Sequence, residues 1–319
     1  MLNLSQYRLR AGLDMVVVSV TCYSVARTMG HSVRRAPAQA RATVGDGVGA
    51  SGGTGQDLDD VEDVDDEERL KVHRPRTLAV YGTYFTWLAL LFLTATLVLR
   101  SIVVGHGPFD NQYEFSVSFG WGLVLAYVYF EHKYHVRTLA LLILPLTAGI
   151  LLYALSVGST DNPLVPALQN NLLLTVHVAV AIVAYGAFAV SFAAAVLYLI
   201  QPEEGKPGLP KPALLDEIGY RSVIIAFPLM TLVLVLGAVW ASIAWGSYWS
   251  WDPKETASLL TWLVYGAYLP DRFARGWTGR KAERSHHAPR GCVPLTVSCH
   301  LPLLCPHSLG QPARTLPLR

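Results

Sequence analysis

Charge is scarce in this chain: 15% of its 319 residues are Asp, Glu, Lys or Arg, while 52% are hydrophobic. A soluble domain of this length carries far more polar surface, so the balance excludes one and points to an integral membrane protein. Cysteine is equally sparse. Of the four, Cys22 stands alone, and Cys292, Cys299 and Cys305 lack the close pairs that zinc and redox motifs need. The net charge of +2 is not gathered into a basic patch interleaved with stacking aromatics, which excludes a nucleic-acid partner. The early apolar patch Ala11 to Ala26 is short, interrupted by Asp14 and lacks the charged n-region followed by a long apolar core and cleavage site of a signal peptide, so it is at best a marginal first span.

What the chain does have is apolar runs long enough to cross a bilayer as helices, near Leu78 to Leu99, Phe115 to Phe130, Thr138 to Val157, Leu172 to Ile200, Val223 to Trp245 and Thr256 to Leu269. The expected fold is all-α, a polytopic transmembrane helix bundle of about six spans with the marginal N-terminal one added. Pro145 and Pro228 fall inside two runs and should kink those helices rather than end them. Basic residues sort the loops. Arg69 to Arg76, Lys133 to Arg137, Lys206 to Arg221 and Arg272 to Lys281 lie on one side, which the positive-inside rule makes cytoplasmic. The loops Ser101 to Glu114, Gly158 to Asn171 and Gly246 to Pro253 contain no Lys or Arg and face outward. Three parts follow. Residues 1–77 hold the possible first span and, over 45–68, a Gly-rich then acidic stretch that reads as a disordered cytoplasmic linker. Residues 78–270 are the transmembrane domain, and 271–319 a basic, Pro-rich tail.

Within the transmembrane domain the run Trp245-Gly246-Ser247-Tyr248-Trp249-Ser250-Trp251-Asp252-Pro253-Lys254-Glu255 crowds three tryptophans and a tyrosine between two apolar segments. Its last four residues are a helix start: Asp252 at the N-cap, Pro253 at the first helical position and Glu255 closing a capping box. That does not account for the indoles, with Trp240 and Trp262 also nearby. Read from the residues alone, an interfacial anchor and a platform for a planar ligand are equally good explanations.

The segment closely resembles the tryptophan-rich WWD signature of the haem-handling proteins of cytochrome c biogenesis, and of the CcsA/ResC branch in particular. Asn111-Gln112-Tyr113-Glu114-Phe115 is similar to another element of that branch. Val165-Pro166-Ala167-Leu168-Gln169 followed by His177-Val178 resembles the segment carrying its first external haem-ligand histidine. Tyr220-Arg221 through Ala226-Phe227-Pro228 resembles the helix that leads into the loop. The resemblance covers about residues 79 to 281. It implies a haem-handling membrane subunit that exports haem b, held non-covalently, and presents it outside the plasma membrane for attachment to apocytochrome c bearing CxxCH. A ResB/CcsB-type membrane partner is implied too. The implied haem-binding residues are His177, as axial iron ligand, with Trp245, Trp249, Trp251 and Asp252. The chain has no attachment motif of its own and no residue that reads as acid, base or nucleophile, so it is a handler of haem and a part of a synthase complex rather than a c-type cytochrome.

The residues agree with that implication in part. Haem needs an axial donor and a flat apolar surface. His177, about five residues into a helix that enters from the outer face, sits some 8 Å below the loop end. An ionisable residue inside a membrane is usually functional, though a histidine satisfied by a neighbouring carbonyl stays open. His106 reads as a loop residue, and His132 and His135 as polar flank among cytoplasmic charges. Two departures stand out. Pro270 occupies the position where the family ordinarily has a histidine on the cytoplasmic side, and proline cannot ligate. After Lys281 the family pattern stops, where a further helix and a second external histidine are expected. Pro289, Pro294, Pro302, Pro306, Pro312 and Pro317 appear instead, and the tail reads as a shifted or truncated frame. A small-molecule transporter with an aromatic outer gate is the alternative, expecting broken or charged helices mid-membrane. A b-type electron carrier would need two facing histidines, and His177 stands alone.

Overall fold

The computed structural model describes residues 2–44, 59–104, 107–109, 111–157, 172–201 and 209–274. Among them are seven α-helices, one 3-10 turn (Arg137–Leu139) and no strand, as the all-α expectation requires. Two compact units divide the chain, the first built from α1 (Leu2–Val44), α2 (Asp59–Val104), α3 (Gln112–Tyr134) and α4 (Ala140–Val157), the second from α5 (Leu172–Ile200), α6 (Pro212–Trp245) and α7 (Pro253–Ala274).

Five of these helices are long and apolar enough to cross a membrane: Tyr7–Thr28 within α1, Thr77–Val104 within α2, Arg137–Val157, Leu172–Ile200 and Pro212–Trp245. The N-terminal patch is therefore among the candidate spans by length and composition, with Leu9, Leu13 and Val16 buried and Asp14 exposed. The runs at 115–130 and 256–269 are the middles of α3 and α7, which are 23 and 22 residues long. Their ends carry Glu114, Glu131 and Lys133, or Lys254, Glu255 and Arg272, which lowers their apolarity below that of the other five. The disordered linker expected over 45–68 needs correction at its C-terminal end. α2 begins at Asp59, so its acidic run is helical, and carboxylates in a first turn complement the positive end of the helix dipole. Residues 45–58 and the Pro-rich tail beyond 274 lie outside the described residues. Pro145 and Pro228 sit inside α4 and α6 without ending them, as expected.

In the first unit α1 runs antiparallel to α2, and glycine sets the separation at both ends of the crossing. A Cβ on Gly12 would meet Leu93 at 3.3 Å, and one on Gly82 would meet the Tyr23 ring at 2.9–3.1 Å. Small residues at apolar helix crossings let backbones close in, and polar side chains then bond across. Ser19 Oγ donates to the Gly82 carbonyl at 2.9 Å and pairs with Thr86 Oγ1 at 2.7 Å. Glu131 of α3 ties three elements together, since its Oε1 accepts from Thr83 (2.6 Å) and Tyr23 (3.0 Å) and lies 3.5 Å from Arg137 Nε. Farther along the same helices Arg100 Nε donates to Glu114 Oε1 at 2.7 Å, both side chains under 5% exposed. The 111–115 element thus has a structural duty, pinning the start of α3 to the end of α2.

In the second unit α5 offers Ala184, Ala187, Ala194 and Ser191 to α6, and Ser191 Oγ donates to the Gly219 carbonyl at 3.2 Å. Phe188, Val223, Ala226, Met230, Val233 and Tyr265 fill the resulting core. Tyr265 of α7 stacks on Phe188 at 4.6 Å, and Trp262 stacks on Phe227 at 5.7 Å while its Nε1 donates to Thr231 Oγ1 at 2.9 Å. At the far end Arg272 forms a bidentate pair with Asp216, 2.7 Å on one arm, donates to Tyr268 at 3.0 Å and lies 4.4 Å from the Tyr220 ring.

Two stability effects follow from this packing. Gly82→Ala should cost about 1–3 kcal/mol by overpacking against a ring whose hydroxyl is held by Thr83 and Glu131. The same change at Gly149, where a Cβ meets nothing within 4 Å, should be neutral in thermal unfolding of the detergent-solubilised protein. Arg272→Met strands Asp216, whose side chain is 26% exposed, so the loss should be about 2–3 kcal/mol, below the 3–5 of a fully buried pair. A double-mutant cycle with Asp216→Asn should return a coupling of at least about 1 kcal/mol.

Candidate functional site

The site is built at the end of the second unit where α5 begins and α6 finishes. His177, five residues into α5, lies against Gly237 of α6: a Cβ there would stand 2.9 Å from its Cε1, 3.4 Å from Nδ1 and 3.8 Å from Nε2. Gly237 is eight residues before Trp245, so the imidazole sits roughly 12 Å along the helix from the loop. The expectation that His177 and the tryptophan loop share one end of the bundle is met within this unit. His177 Nδ1 is buried without a hydrogen-bond partner. Among the described residues of this unit it is the one histidine.

The loop has a definite internal structure. Gly246 caps α6 in the left-handed conformation (φ 73°), and its N–H returns to the Ser242 carbonyl at 3.0 Å, a C-terminal stop that glycine performs at little cost. Ser247 Oγ donates to the Trp249 carbonyl at 3.0 Å. The capping-box reading is met on one arm and extended on another. Glu255 Oε2 accepts from the Asp252 N–H at 3.4 Å, and also from the Ser250 N–H at 2.8 Å and Ser250 Oγ at 3.2 Å. The carboxylate thus grips both peptide N–H groups flanking Trp251. Trp251 itself has φ 57°, a left-handed conformation that costs a bulky side chain about 1–3 kcal/mol and persists only where neighbours enforce it. Asp252 contributes its carbonyl, which accepts from Thr256 N (2.9 Å) and Oγ1 (3.1 Å), while its side chain is exposed.

The indoles form two edge-to-face pairs rather than one stack of three. Trp245 meets Trp240 at 4.6 Å and 79°, and Trp249 meets Trp251 at 5.9 Å and 88°. Trp245, Tyr248 and Trp251 are about two-thirds exposed. Trp240 brings a second unsatisfied buried polar atom, its Nε1, to the same end of the unit. Of the two flanking tryptophans, only Trp240 therefore belongs to the loop's aromatic group, and Trp262 is taken up by α6 in the core. Val233, Gly237 and Trp240 recur at helical spacing and mark one stripe of α6. An imidazole about two helical turns from exposed flat apolar surface has the donor and the contact area that a planar, metal-centred ligand needs.

The remaining candidates fall elsewhere. His132 and His135 are exposed at the end of α3 in the first unit, in keeping with polar flank. Pro270 lies inside α7 and is exposed. His106 and the 165–169 segment lie outside the described residues. Gly237, Trp240 and the double grip of Glu255 are the site features that sequence reading leaves unassigned. The first has a visible cue, a glycine at helical spacing between Val233 and Trp240.

Comparison with known proteins identifies the family. The family described as cytochrome C assembly protein matches residues 110–288, which include α5, α6, the loop and α7. A cytochrome c biogenesis protein CcsA from Guillardia theta is 36% identical over 228 residues, covering 63% of this chain and 75% of that one. A CcsA from Prochlorococcus marinus is 33% identical over 229 residues, covering 62% and 73%. Among solved structures, the cytochrome c heme lyase CcmF shares the fold with a TM-score of 0.55 at 18% identity, covering 95% of this chain, which spans 46% of that longer one. The chain belongs to the cytochrome c assembly protein family, as a protein of the CcsA type.

Proposed function

We propose that this chain is a haem-handling membrane subunit of cytochrome c biogenesis, which carries haem b outward without covalent attachment and presents it to apocytochrome c. One observation carries the reading: His177 and four indoles converge on the end of one helical unit where two buried polar atoms, His177 Nδ1 and Trp240 Nε1, have no partner. When bound, haem supplies a vinyl-bearing macrocycle for thioether attachment. His177 offers the axial nitrogen, Trp245, Trp249 and Trp251 the flat contact surface, and Asp252 with Glu255 the fixed start of α7 that aims them. In this reading the loop is extracytoplasmic in the plasma membrane, a ResB/CcsB-type subunit completes the synthase, and the acceptor is a CxxCH thiol pair. Pro270 denies the cytoplasmic end a ligand, so loading rests on the outer site alone.

Exposure of the loop is tested by a cysteine at Ser247 in a background freed of native cysteines. Ser247→Cys should react with an impermeant thiol reagent in intact cells and Lys206→Cys should not. The reverse pattern would put the loop in the cytoplasm and remove the presentation step. Ligand contact is tested in the purified protein. Trp249→Ala or Trp251→Ala should lose about 2 kcal/mol of contact, roughly thirtyfold in haem affinity. Glu255→Ala should behave like Trp251→Ala, because it releases both N–H groups that hold Trp251, whereas Glu255→Gln keeps an acceptor oxygen and most of the affinity. His177→Ala should shift the absorption spectrum and recover on adding imidazole. A spectrum unmoved by His177→Ala would remove the ligand assignment.

A further inference from the structure

We propose that Gly237 of α6 is a seat for His177, in which the missing side chain at 237 admits the Cε1 edge of the ring and so fixes the orientation of the imidazole that would meet iron. This rests on the haem reading for its purpose and on the apo geometry for its existence. The Cε1 edge leads into α6: a Cβ at 237 would lie 2.9 Å from it, closer than real Cβ contacts come, with Nδ1 nearer than Nε2. No alanine fits there while the ring stays put. Nδ1 is buried without a partner, and a buried donor left unpaired is costly. Gly237 is thus a positioning residue, acting on iron through His177. It also explains why α6 meets α5 closely at this level, where alanine would favour the helix but fill the seat.

The first test needs no haem. Exchange of the imidazole Cε1 hydrogen for deuterium, followed by mass spectrometry, should be slow at His177 and fast at the exposed His132 and His135 of the same molecule. Gly237→Ala should abolish that protection, while Gly219→Ala, whose Cβ meets nothing nearer than 3.9 Å, should keep it. In the haem-bound protein Gly237→Ala should reproduce the spectral change of His177→Ala and its rescue by imidazole, with Gly219→Ala unchanged. Should Gly237→Ala fold poorly, the double variant Gly237→Ala/His177→Ala should regain the lost thermal stability, because the smaller residue at 177 vacates the space. Persistent slow exchange at His177 in Gly237→Ala, or no stability regained in the double variant, would overturn the seat. Absence of haem from the wild-type protein with normal protection of His177 would overturn the haem reading alone.

Discussion

The close approach of α5 and α6 is the constraint on which the second unit depends. Apolar helices gain little from mutual hydrophobic attraction in lipid, so their association relies on backbone proximity and shape. Here the alanines of α5 and the glycines of α6 supply it, and Phe188, Met230 and Tyr265 fill what remains. The same proximity at Gly237 seats the His177 ring against α6. Site and core are therefore one packing problem: whatever loosens the helix pair displaces the imidazole. α7 is held to this pair at separate levels, by Trp262 on Phe227 and Thr231, Tyr265 on Phe188, and Arg272 on Asp216, so the loop joining α6 to α7 is fixed at both of its roots.

Unit one shows the other way to keep polar groups among apolar helices. Arg100 with Glu114, and Glu131 with Tyr23, Thr83 and Arg137, are nearly closed networks in which one carboxylate serves several donors. Buried charges without such partners would be strongly destabilising. Neither network breaks a helix, and α4 and α6 continue through their prolines. A small-molecule transporter with a midplane site is expected to unwind helices where it binds. These continuous helices give that alternative no support.

Much of this was legible in the sequence because its cues are local. Apolar run length gave most of the helices, Asp252-Pro253-Lys254-Glu255 gave the start of α7, and the order of residues in the tryptophan loop directed attention to the end of α6. The helical part of the acidic run at 59–68 was misread because composition measures the capacity to bury a core. It does not register that carboxylates at a helix start are favourable. The N-terminal span looked marginal because Asp14 was counted without knowing which face it occupies. Gly237 has a cue in its helical spacing between Val233 and Trp240, but its role has none. A glycine in a transmembrane helix is common, and what makes this one significant is a ring from another helix, a pairing without local trace. The separation of the indoles into two pairs was hidden likewise, since it depends on the left-handed turns at Gly246 and Trp251.

Those turns bear on the two explanations between which the loop's composition cannot choose. An interfacial anchor needs its indoles at a certain depth and little else, so relaxed backbone and mobile rings would serve it. This loop instead places Trp251 in a conformation unfavourable for a bulky residue and enforces it with one carboxylate gripping the N–H groups on either side. Strain held by dedicated hydrogen bonds is worth its cost where a side chain must face one direction before its ligand arrives. Rings left two-thirds exposed yet so constrained have an orientation with no use to the folded chain itself. A flat ligand that arrives from outside and must leave again would use it: rigid indoles lower the entropy lost on binding, and their open faces leave the ligand accessible to the next protein.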